Sequence, residues 1–337
     1  MSVLVVGSVA FDAVETPHGK VDRMLGGAAT YFAVAASYFG SVKLVAVVGD
    51  DFTRKEASIF QGRRIDIAGL ERAPGKTFFW SGRYSPDMND RTTLATELNV
   101  FGDFEPKLPE AYRHVPFVFL ANIHPLLQRH VLQQMRRKPR LVALDTMNYW
   151  IERAPADLGN VLRDVDILVI NDAEARQLSG QHNLLRAAAH IRDLGPGILV
   201  VKRGEHGAML MQKDALFSVP ALPLAKVHDP TGAGDSFAGG FMGSLMSARA
   251  INDRSLRTAM VYGSVMGSFA VERFGLERLR RLKRKEISAR ARQFQHLTQQ
   301  LAAQGTSFGA LAPQSLTSPF QSMVGPSIFS AQPLNVM

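Results

Sequence analysis

The chain has 337 residues, of which 46% are hydrophobic and none is cysteine. This length suits one large α/β domain or two domains, and the absence of cysteine excludes disulfides and thiolate metal sites. The formal net charge is +9, but residues 273–292 hold nine Lys/Arg against two acids, so nearly all of the surplus lies in that segment. We interpret it as a basic helix, which either forms a solvated face or binds nucleic acid or anionic membranes.

The N-terminal residues 1–12 have neither a basic region nor a small-residue cleavage site, so we expect no signal peptide. No run of about 20 apolar residues predicts a membrane span. These observations, together with the lack of cysteine, predict a cytoplasmic protein without a membrane partner.

Apolar, β-branched runs alternate with helical patterns along the chain. A buried helix is predicted at residues 28–39, ending at Gly40. Strands are predicted at residues 3–6, 44–48, 117–121, 141–144, 167–170 and 198–201. Continuous Val/Ile/Leu runs separated by helices are typical of a mostly parallel sheet covered on both faces. Such open sheets bind ligands at the carboxyl ends of their strands.

Residues 76–101 interrupt this alternation, because they are rich in aromatic residues and Thr and contain a turn-like stretch at residues 85–90. We predict two or more antiparallel strands here, inserted after the second or third strand of the main sheet. A small sheet of this kind serves as a lid or as a dimer contact, and an ordinary edge hairpin is the alternative. Residues 305–337 are rich in Ser, Pro, Gln and Gly, and we expect this tail to be loosely ordered or disordered.

The segment at residues 227–243, VHDPTGAGDSFAGGFMG, is the part of the sequence that indicates chemistry. Asp229 precedes a proline and therefore ends an extended run. Residues 231–234 form a turn of small residues, and a helical pattern follows from Asp235. A glycine-rich turn that leads into a helix leaves backbone N–H groups unpaired. Together with the helix dipole, these groups form an anion site.

A carboxylate beside an anion site repels a phosphate, but it can also accept a proton from an attacking hydroxyl. We therefore interpret the segment as a site of in-line phosphoryl transfer, a reaction that depends on positioning and electrostatics. The amides of Gly232, Ala233 and Gly234 would hold the developing charge, and Asp235 would act as the catalytic base. The alternative is a plain helix start in which Asp235 complements the dipole.

Residues 229–237, DPTGAGDSF, closely resemble the C-terminal signature of the ribokinase-like, or PfkB-type, carbohydrate kinase family. The resemblance covers roughly residues 1–275. It implies an α/β fold, a ribokinase-like three-layer sandwich with a mostly parallel central sheet and a small β lid. We accordingly predict a kinase domain at residues 1–304 that carries the lid at about 76–101.

The resemblance also implies roles for single residues. It assigns the acceptor substrate to Asp12, Gly26, Gly27 and Tyr31. It assigns the nucleotide to Asn171, Glu174, Lys202, Gly204, Thr231, Gly232, Gly234 and Ser268, and magnesium to Glu174, through water, and to Asp229. From the residues alone, Asn171 is equally a candidate helix N-cap, and Glu174 a favoured first-turn acid. Family members carry an Asn that binds sugar hydroxyls where this chain has Tyr31, which favours an acceptor larger or less hydroxylated than free ribose.

The function that the resemblance implies is a magnesium-dependent transfer of a phosphoryl group from a nucleotide, expected to be ATP with ADP as the alternative donor, to a hydroxyl of a sugar or sugar derivative. A nucleoside kinase of the same family is the alternative, because alternate lid aromatics offer faces on which a base stacks. These aromatics are Phe78, Phe79, Trp80 and Tyr84. A monovalent cation is a further candidate cofactor, and a homodimer through the lid is a candidate assembly.

A hypothesis from another class is a non-enzymatic nucleic-acid-binding or regulatory protein that uses the basic 273–292 helix. Nothing resembling a recognition fold for DNA or RNA surrounds that segment. The intact Gly232–Asp235 turn also argues against an inactive scaffold. We therefore expect small-molecule partners, a nucleotide donor and a sugar or nucleoside acceptor, and no nucleic acid.

Overall fold

The structure is a computed structural model that describes residues 1–298. The predicted tail at residues 305–337 lies outside the described residues. The strands are β1 (Ser2–Val6), β2 (Ala10–Thr16), β3 (Gly19–Gly26), β4 (Ser41–Val48), β5 (Ile65–Arg72), β6 (Phe78–Tyr84), β7 (Arg91–Glu97), β8 (Phe117–Leu120), β9 (Leu141–Asp145), β10 (Ile167–Asn171), β11 (Ile198–Lys202), β12 (Ala208–Met211) and β13 (Leu216–Val219). The helices are α1 (Ala28–Ala36), α2 (Arg54–Ala57), α3 (Pro125–Gln133), α4 (Asn148–Arg153), α5 (Pro155–Leu162), α6 (Asp172–Ser179), α7 (Leu184–Asp193), α8 (Ala233–Ser247), α9 (Asp253–Ala270) and α10 (Arg284–Thr298). None of the described helices is both long enough and apolar enough to cross a membrane.

Nine strands form the main sheet, in the order β13-β12-β11-β10-β9-β8-β1-β4-β5. The strands from β11 to β5 run parallel, whereas β12 and β13 are antiparallel additions at one edge. Every predicted strand is present in this sheet, and the prediction of a mostly parallel sheet is confirmed. The predicted helix at residues 28–39 is shorter than expected. It ends at Ala36, because the chain then tightens into a turn in which the Phe39 N–H donates to the Ala36 carbonyl at 2.9 Å.

Alternate side chains of the main sheet belong to two different cores. On β1, Val3 and Val5 pack in a core shared with α1, α8 and α9. Leu4 and Val6 pack in a second core with α3, α5 and α7. All four side chains are fully buried, which explains why the strand reads as a continuous apolar run. Helices cover both faces of the sheet, so the predicted three-layer sandwich is confirmed.

A second, four-stranded sheet has the order β3-β2-β6-β7. β6 and β7 come from residues 76–101 and pair antiparallel, as predicted. β2 and β3 were not predicted, because residues 10–26 are rich in charged residues and glycine and follow no simple apolar alternation. The two hairpins join through the parallel pair β2–β6, in which Asp12 lies opposite Trp80. The small sheet is therefore built from two segments that α1, β4 and β5 separate in the chain.

The basic segment at residues 273–292 is not the single helix that we predicted. Only its second part is helical, in α10, and turns and a short 3₁₀ helix precede it. Arg278 bridges Glu272 and Glu286 at 2.7 Å to each, and Arg290 also pairs with Glu272. Part of the basic charge therefore attaches α10 to the end of α9 and is not available as a binding face.

Helix α8 is positioned by close contact of its glycines with α1. A Cβ on Gly239 would lie 2.5 Å from the carbonyl oxygen of Phe32, and a Cβ on Gly243 would lie 2.7 Å from the ring of Phe39. Only residues without a side chain allow the two helices to approach so closely. The first turn of α1 in turn packs on Gly7, at the carboxyl end of β1. The contact thus places the N-terminus of α8 at the sheet edge where ligands bind in open α/β sheets.

We predict that Gly239→Ala lowers the free energy of unfolding by about 2 kcal/mol, because the added methyl group overpacks the contact between the helices. Gly159→Ala is the matched control. Gly159 is also helical, in α5, but a Cβ there meets no atom within 4 Å, so we expect it to raise the free energy of unfolding by about 0.5–1 kcal/mol. Chemical denaturation measures both variants. Equal effects would show that the α1–α8 contact does not require glycine.

Candidate active site

The turn before α8 has the geometry of an anion site. Gly232 has a left-handed backbone, with φ +73°, and α8 begins at Ala233. The N–H of Ala233 donates to the carbonyl of Pro230 at 3.1 Å and is therefore engaged within the turn. Among residues 1–298, the N–H groups of Gly232 and Gly234 donate to no backbone carbonyl in a turn, loop or helix cap. Of the amides that the sequence singled out, those of Gly232 and Gly234 can thus bind an anion.

Asp235 lies in the first turn of α8, half-buried beside these amides. Burial raises the pKa of its carboxyl group to about 6, and the negative charge of Asp145 adds to this effect. The charges of Lys202 and Arg91 oppose the rise. At neutral pH the carboxyl group is therefore mostly ionised and more basic than an ordinary aspartate, as a general base requires.

Lys202 brings a positive charge to the same turn. Its Nζ donates to Asp145 Oδ2 at 3.1 Å and lies 3.1 Å from the position of a Cβ on Gly234. Burial acts to lower the pKa of the ammonium group, but the charges of Asp145, Glu174 and Asp235 outweigh it, so this pKa lies above its ordinary value. Lys202 therefore stays protonated next to the free amides.

Asn171 and Glu174 form a reciprocal cap at the start of α6. Asn171 Oδ1 accepts from the Glu174 N–H at 2.7 Å, and Glu174 Oε2 accepts from the Asn171 N–H at 2.9 Å. The capping role that the residues alone suggested is thus present. Burial, together with the negative charge of Asp145, raises the pKa of Glu174 to about 6, although the positive charge of Lys202 acts to lower it. The Glu174 carboxylate therefore also belongs to the electrostatic environment of the turn before α8.

Asp12, on β2, lies on the other side of the turn and against Gly26 and Gly27. A Cβ on Gly26 would be 1.8 Å from Asp12 Oδ2, and a Cβ on Gly27, where φ is +91°, would be 2.5 Å from a backbone carbonyl oxygen. Both positions therefore require glycine. Burial, with the charges of Asp229 and Asp235 adding to it, raises the pKa of Asp12 to about 7. The structure thus brings the predicted acceptor residues within electrostatic reach of the predicted base.

The small sheet contacts both sides of this site. The hydroxyl of Thr231 donates to the hydroxyl of Tyr84, at the end of β6, at 3.2 Å. Asn89, in the turn between β6 and β7, donates to Glu205 at 3.2 Å. Glu205 follows Gly204, which has a φ of +53° and would place a Cβ 3.5 Å from the Asn89 side chain. The β6–β7 hairpin therefore reaches from the turn before α8 to the turn after β11.

Two residues of the site are absent from the sequence-based assignment. Asp145 ends β9 and holds Lys202, and its position after the apolar run at residues 141–144 is a signal that could have identified it. Arg91 begins β7, and its charge lowers the pKa of both Asp235 and Glu174. No motif in the sequence marks Arg91, because its proximity depends on how the small sheet docks.

The structure does not bring Ser268 to the other predicted residues. Its hydroxyl donates to the Val265 carbonyl at 2.7 Å and accepts from Arg290 at 3.2 Å. The preceding residue, Gly267, instead faces the start of α8, with the Ala233 carbonyl oxygen 3.3 Å from the position of a Cβ. Gly267 is thus a residue of α9 that borders the turn, and the nucleotide role of Ser268 stays a prediction.

The carboxylates of the site suit magnesium only in company with a nucleotide. Asp229 accepts the N–H groups of Thr231 and Gly275, each at 2.9 Å, so both of its oxygens already hold loops in place. Within residues 1–298, no group of three or more His, Cys, Asp or Glu side chains could hold a metal ion. Magnesium commonly takes one or two carboxylates, several waters and the phosphates of its substrate. Glu174 fits such a role through water, whereas Asp229 fits the role of a loop anchor.

Comparison with known proteins agrees with this geometry. A family model described as pfkB family carbohydrate kinase matches residues 1–280. A cytidine kinase from Thermococcus kodakarensis is 29% identical over 259 residues, which are 75% of this chain and 91% of that protein.

Solved structures show the same fold at lower identity. An aminoimidazole riboside kinase from Salmonella enterica, complexed with aminoimidazole riboside and an ATP analogue, has a TM-score of 0.69 at 22% identity and covers 86% of this chain and 100% of its own. A fructokinase from Vibrio cholerae O395, bound to fructose, ADP and a calcium ion, has a TM-score of 0.69 at 20% identity. The match covers 86% of this chain and 98% of the fructokinase chain. At these identities the likeness concerns the fold alone.

We predict that Asp12→Asn stabilises the protein in a pH-dependent way. Between the ordinary pKa of 3.8 and the raised pKa of about 7, the folded state binds more protons at Asp12 than the unfolded state, so the stability falls as the pH rises. Asn removes this penalty and keeps an oxygen for the N–H of Gly27. We expect the variant to raise the free energy of unfolding on the order of 2–4 kcal/mol at about pH 8, and little at about pH 4. Asp22→Asn, on the exposed part of β3, is the control, and an equal gain at both pH values would contradict the buried-charge argument.

Proposed function

The chain belongs to the pfkB family of carbohydrate kinases, and on this basis we propose that it transfers the γ-phosphoryl group of ATP to a hydroxyl of a sugar-bearing acceptor. The observation that carries the proposal is the position of Asp235 at the free amides of Gly232 and Gly234, with Lys202 and Asp12 both within electrostatic reach. An anion turn alone suits any phosphate ligand. The added carboxylate provides the base that transfer to an alcohol requires.

The nucleotide lies on the Lys202 side of the turn in this proposal. Lys202 and the free amides hold the γ-phosphate, and the N-terminus of α8 adds its dipole. Asn171, Thr231 and Gly204 border the rest of the nucleotide. Glu174 would hold magnesium through water, and such an ion would supply positive charge against the phosphates. The relative with an ATP analogue supports ATP as the donor.

The acceptor lies on the Asp12 side. Asp12 and the backbone at Gly26–Gly27 orient it so that one hydroxyl faces Asp235. That hydroxyl oxygen attacks the γ-phosphorus in line, its proton passes to the Asp235 carboxylate, and the bond to the β-phosphate oxygen breaks to release ADP. The amides of Gly232 and Gly234 stabilise the charge on the transferring group. Arg91 adds a positive charge from the small sheet.

Four further expectations accompany this proposal as predictions. They are the extent of the kinase domain to residue 304, a cytoplasmic location, a monovalent cation as a further cofactor, and a homodimer through the small sheet. β7 is an edge strand of that sheet, and Leu94 on it is 50% exposed. An apolar side chain at an unpaired strand edge suits contact with a second copy.

A nucleoside acceptor is a second candidate, and the position of Trp80 favours it. Trp80 lies opposite Asp12 in the β2–β6 pair, so both side chains are on one face of the small sheet. The six-membered ring of Trp80 covers Gly82, where a Cβ would lie 2.2 Å from a ring atom. The guanidinium of Arg91 also lies 5.5 Å from the centroid of the Trp80 ring, so the indole is close to another residue of the site. Of the other lid aromatics, Phe78 stacks on Phe101 at 5.1 Å between ring centroids and so belongs to the packing of the sheet.

We predict that Asp235→Asn lowers kcat by roughly 100-fold or more, because it removes the general base. Fold and nucleotide affinity should change little. Asp253→Asn is the matched control, since Asp253 occupies the first turn of α9 and, among residues 1–298, forms an ion pair with the exposed Arg257 at 2.8 Å. Steady-state kinetics with a panel of sugars and nucleosides measure both variants. Equal, near-wild-type turnover would show that Asp235 only complements the helix dipole.

We also predict that Trp80→Leu raises KM for a nucleoside by about 5- to 150-fold, because stacking of a base is worth about 1–3 kcal/mol. KM for ATP, and for any free sugar that the enzyme accepts, should stay unchanged and serve as the internal controls. If sugars turn over and every nucleoside is inert, Trp80 is structural and the first candidate stands alone.

A further inference from the structure

The neighbouring strands β8 and β9 separate at the sheet edge that carries the site. Their pairing ends where Leu120 lies opposite Leu144. Beyond this point the N–H of Ala121 donates to a carbonyl of β1 at 2.9 Å, whereas Asp145 stays paired with β10. The carbonyl groups of Ala121 and Asp145 therefore need a donor from outside the β8–β9 ladder, because buried carbonyls are ordinarily hydrogen-bonded.

Gln128, near the start of α3, supplies this donor. Its side chain is fully buried, and its Nε2 donates to the carbonyl oxygens of Ala121 and Asp145, each at 2.9 Å. A third carbonyl oxygen, that of Leu120, lies 3.4 Å from the same nitrogen. Only the amino end of the amide suits this position, because an oxygen there would repel all three carbonyls. Gln128 therefore bridges the ends of β8 and β9.

The other end of the amide shows that this position is not occupied for packing alone. Gln128 Oε1 is buried and has no hydrogen-bond partner among the residues that the structure describes. A buried acceptor without a partner is destabilising, and methionine would fill a similar space without that cost. The contribution of the side chain is therefore its bridge between the two strand ends.

Asp145 connects this bridge with the turn before α8. It is buried, and its Oδ2 accepts from Lys202 Nζ at 3.1 Å. Lys202 Nζ in turn lies 3.1 Å from the position of a Cβ on Gly234. The carbonyl that Gln128 holds and the carboxylate that holds Lys202 belong to the same residue. A continuous set of contacts therefore leads from α3 to the amides that face the proposed phosphate.

We propose that Gln128 is a positioning residue that acts through Asp145 to hold Lys202 beside the turn before α8. The inference rests on the proposed function, in which Lys202 contacts the γ-phosphate of the donor. Without the bridge, the end of β9 keeps its pairing with β10 but loses its connection to β8, and the Asp145–Lys202 pair shifts. A displaced ammonium group makes a weaker charge-assisted hydrogen bond to phosphate, and small errors of position reduce rates strongly. Asp12 lies outside this set of contacts, so acceptor binding stays unchanged.

Gln128→Met tests the proposal, because methionine is similar in length and flexibility but donates no hydrogen bond. Gln134→Met is the matched control. Gln134 lies at the end of the same helix, and its amide also holds two backbone groups, the Pro106 carbonyl at 2.8 Å and the Leu108 N–H at 2.9 Å. Both variants should lower the free energy of unfolding, because each removes hydrogen bonds to the backbone.

The kinetics should separate the two variants. The acceptor probes are ribose, fructose, cytidine and adenosine, and the one with the highest kcat/KM is used for comparison. For Gln128→Met we expect kcat/KM for ATP to fall about 5- to 20-fold, with KM for the acceptor nearly unchanged. Gln134→Met should leave both at the wild-type values. Wild-type kinetics in Gln128→Met, or equal losses in both variants, overturn the proposal.

A double-mutant cycle with Lys202→Met shows whether the effect passes through the lysine. Once the ammonium group is gone, adding Gln128→Met should cause no further loss in kcat/KM for ATP. Additive losses would show that Gln128 acts in another way and overturn the proposal. Gln128→Asn, whose amide is one methylene shorter, replaces Gln128→Met in the same cycle if the methionine variant does not fold.

A binding measurement separates this proposal from the proposed function. If the wild-type enzyme turns over none of the probes, the proposed function fails on that panel. Calorimetry with a non-hydrolysable ATP analogue then repeats the cycle as affinities. Gln128→Met should weaken binding of the analogue when Lys202 is present and have no effect in Lys202→Met. An affinity that Gln128→Met leaves unchanged, or a wild-type protein that does not bind the analogue, overturns the positioning role.

Discussion

The close contact between α8 and α1 is the constraint on which the site depends. Gly239 lies against the backbone of Phe32, and Gly232 lies on the ring of Tyr31, at successive levels of the same helix pair. These contacts leave no room for side chains and so fix the position of α8 along α1. Because α1 starts at the carboxyl end of β1, the free amides and Asp235 arrive there as one unit. The chemistry is therefore placed by packing that begins in the hydrophobic core.

The second determinant is an excess of buried negative charge. The carboxylates that influence one another at the site are Asp12, Asp145, Glu174, Asp229 and Asp235. Lys202 and Arg91 are the cations that oppose the rise in their pKa values. Such a site lowers the stability of the folded protein at neutral pH, since burial disfavours the ionised forms. The same environment gives Asp235 the basicity that its proposed role requires. A divalent ion would offset the repulsion between these carboxylates and a bound polyphosphate.

The main sheet could be predicted from the sequence because its strands are buried on both faces. A short continuous apolar run between helical patterns, such as residues 167–170, is typical of such a strand. The turn at residues 231–234 could be predicted because the spacing of its small residues before a helix has a direct physical meaning. β2 escaped prediction, since its polar residues become buried only by pairing with β6 and by facing the site. The side chains that α9 and the small sheet contribute depend on docking angles, which no local pattern encodes. For that reason Arg91 was not foreseen.

The small sheet is joined to the main body through two separate hairpins, and this limits how it can move. One hairpin returns to the body at Gly27, with φ +91°, and the other leaves it near Gly75, with φ +123°. A rotation of the sheet about these two connections would break the hydrogen bonds from Thr231 to Tyr84 and from Asn89 to Glu205. Glycine at both points allows the change of backbone angles that such a rotation demands. Gly27 also lies beside Asp12, so a rotation at Gly27 would take place close to the residues that we propose hold the acceptor.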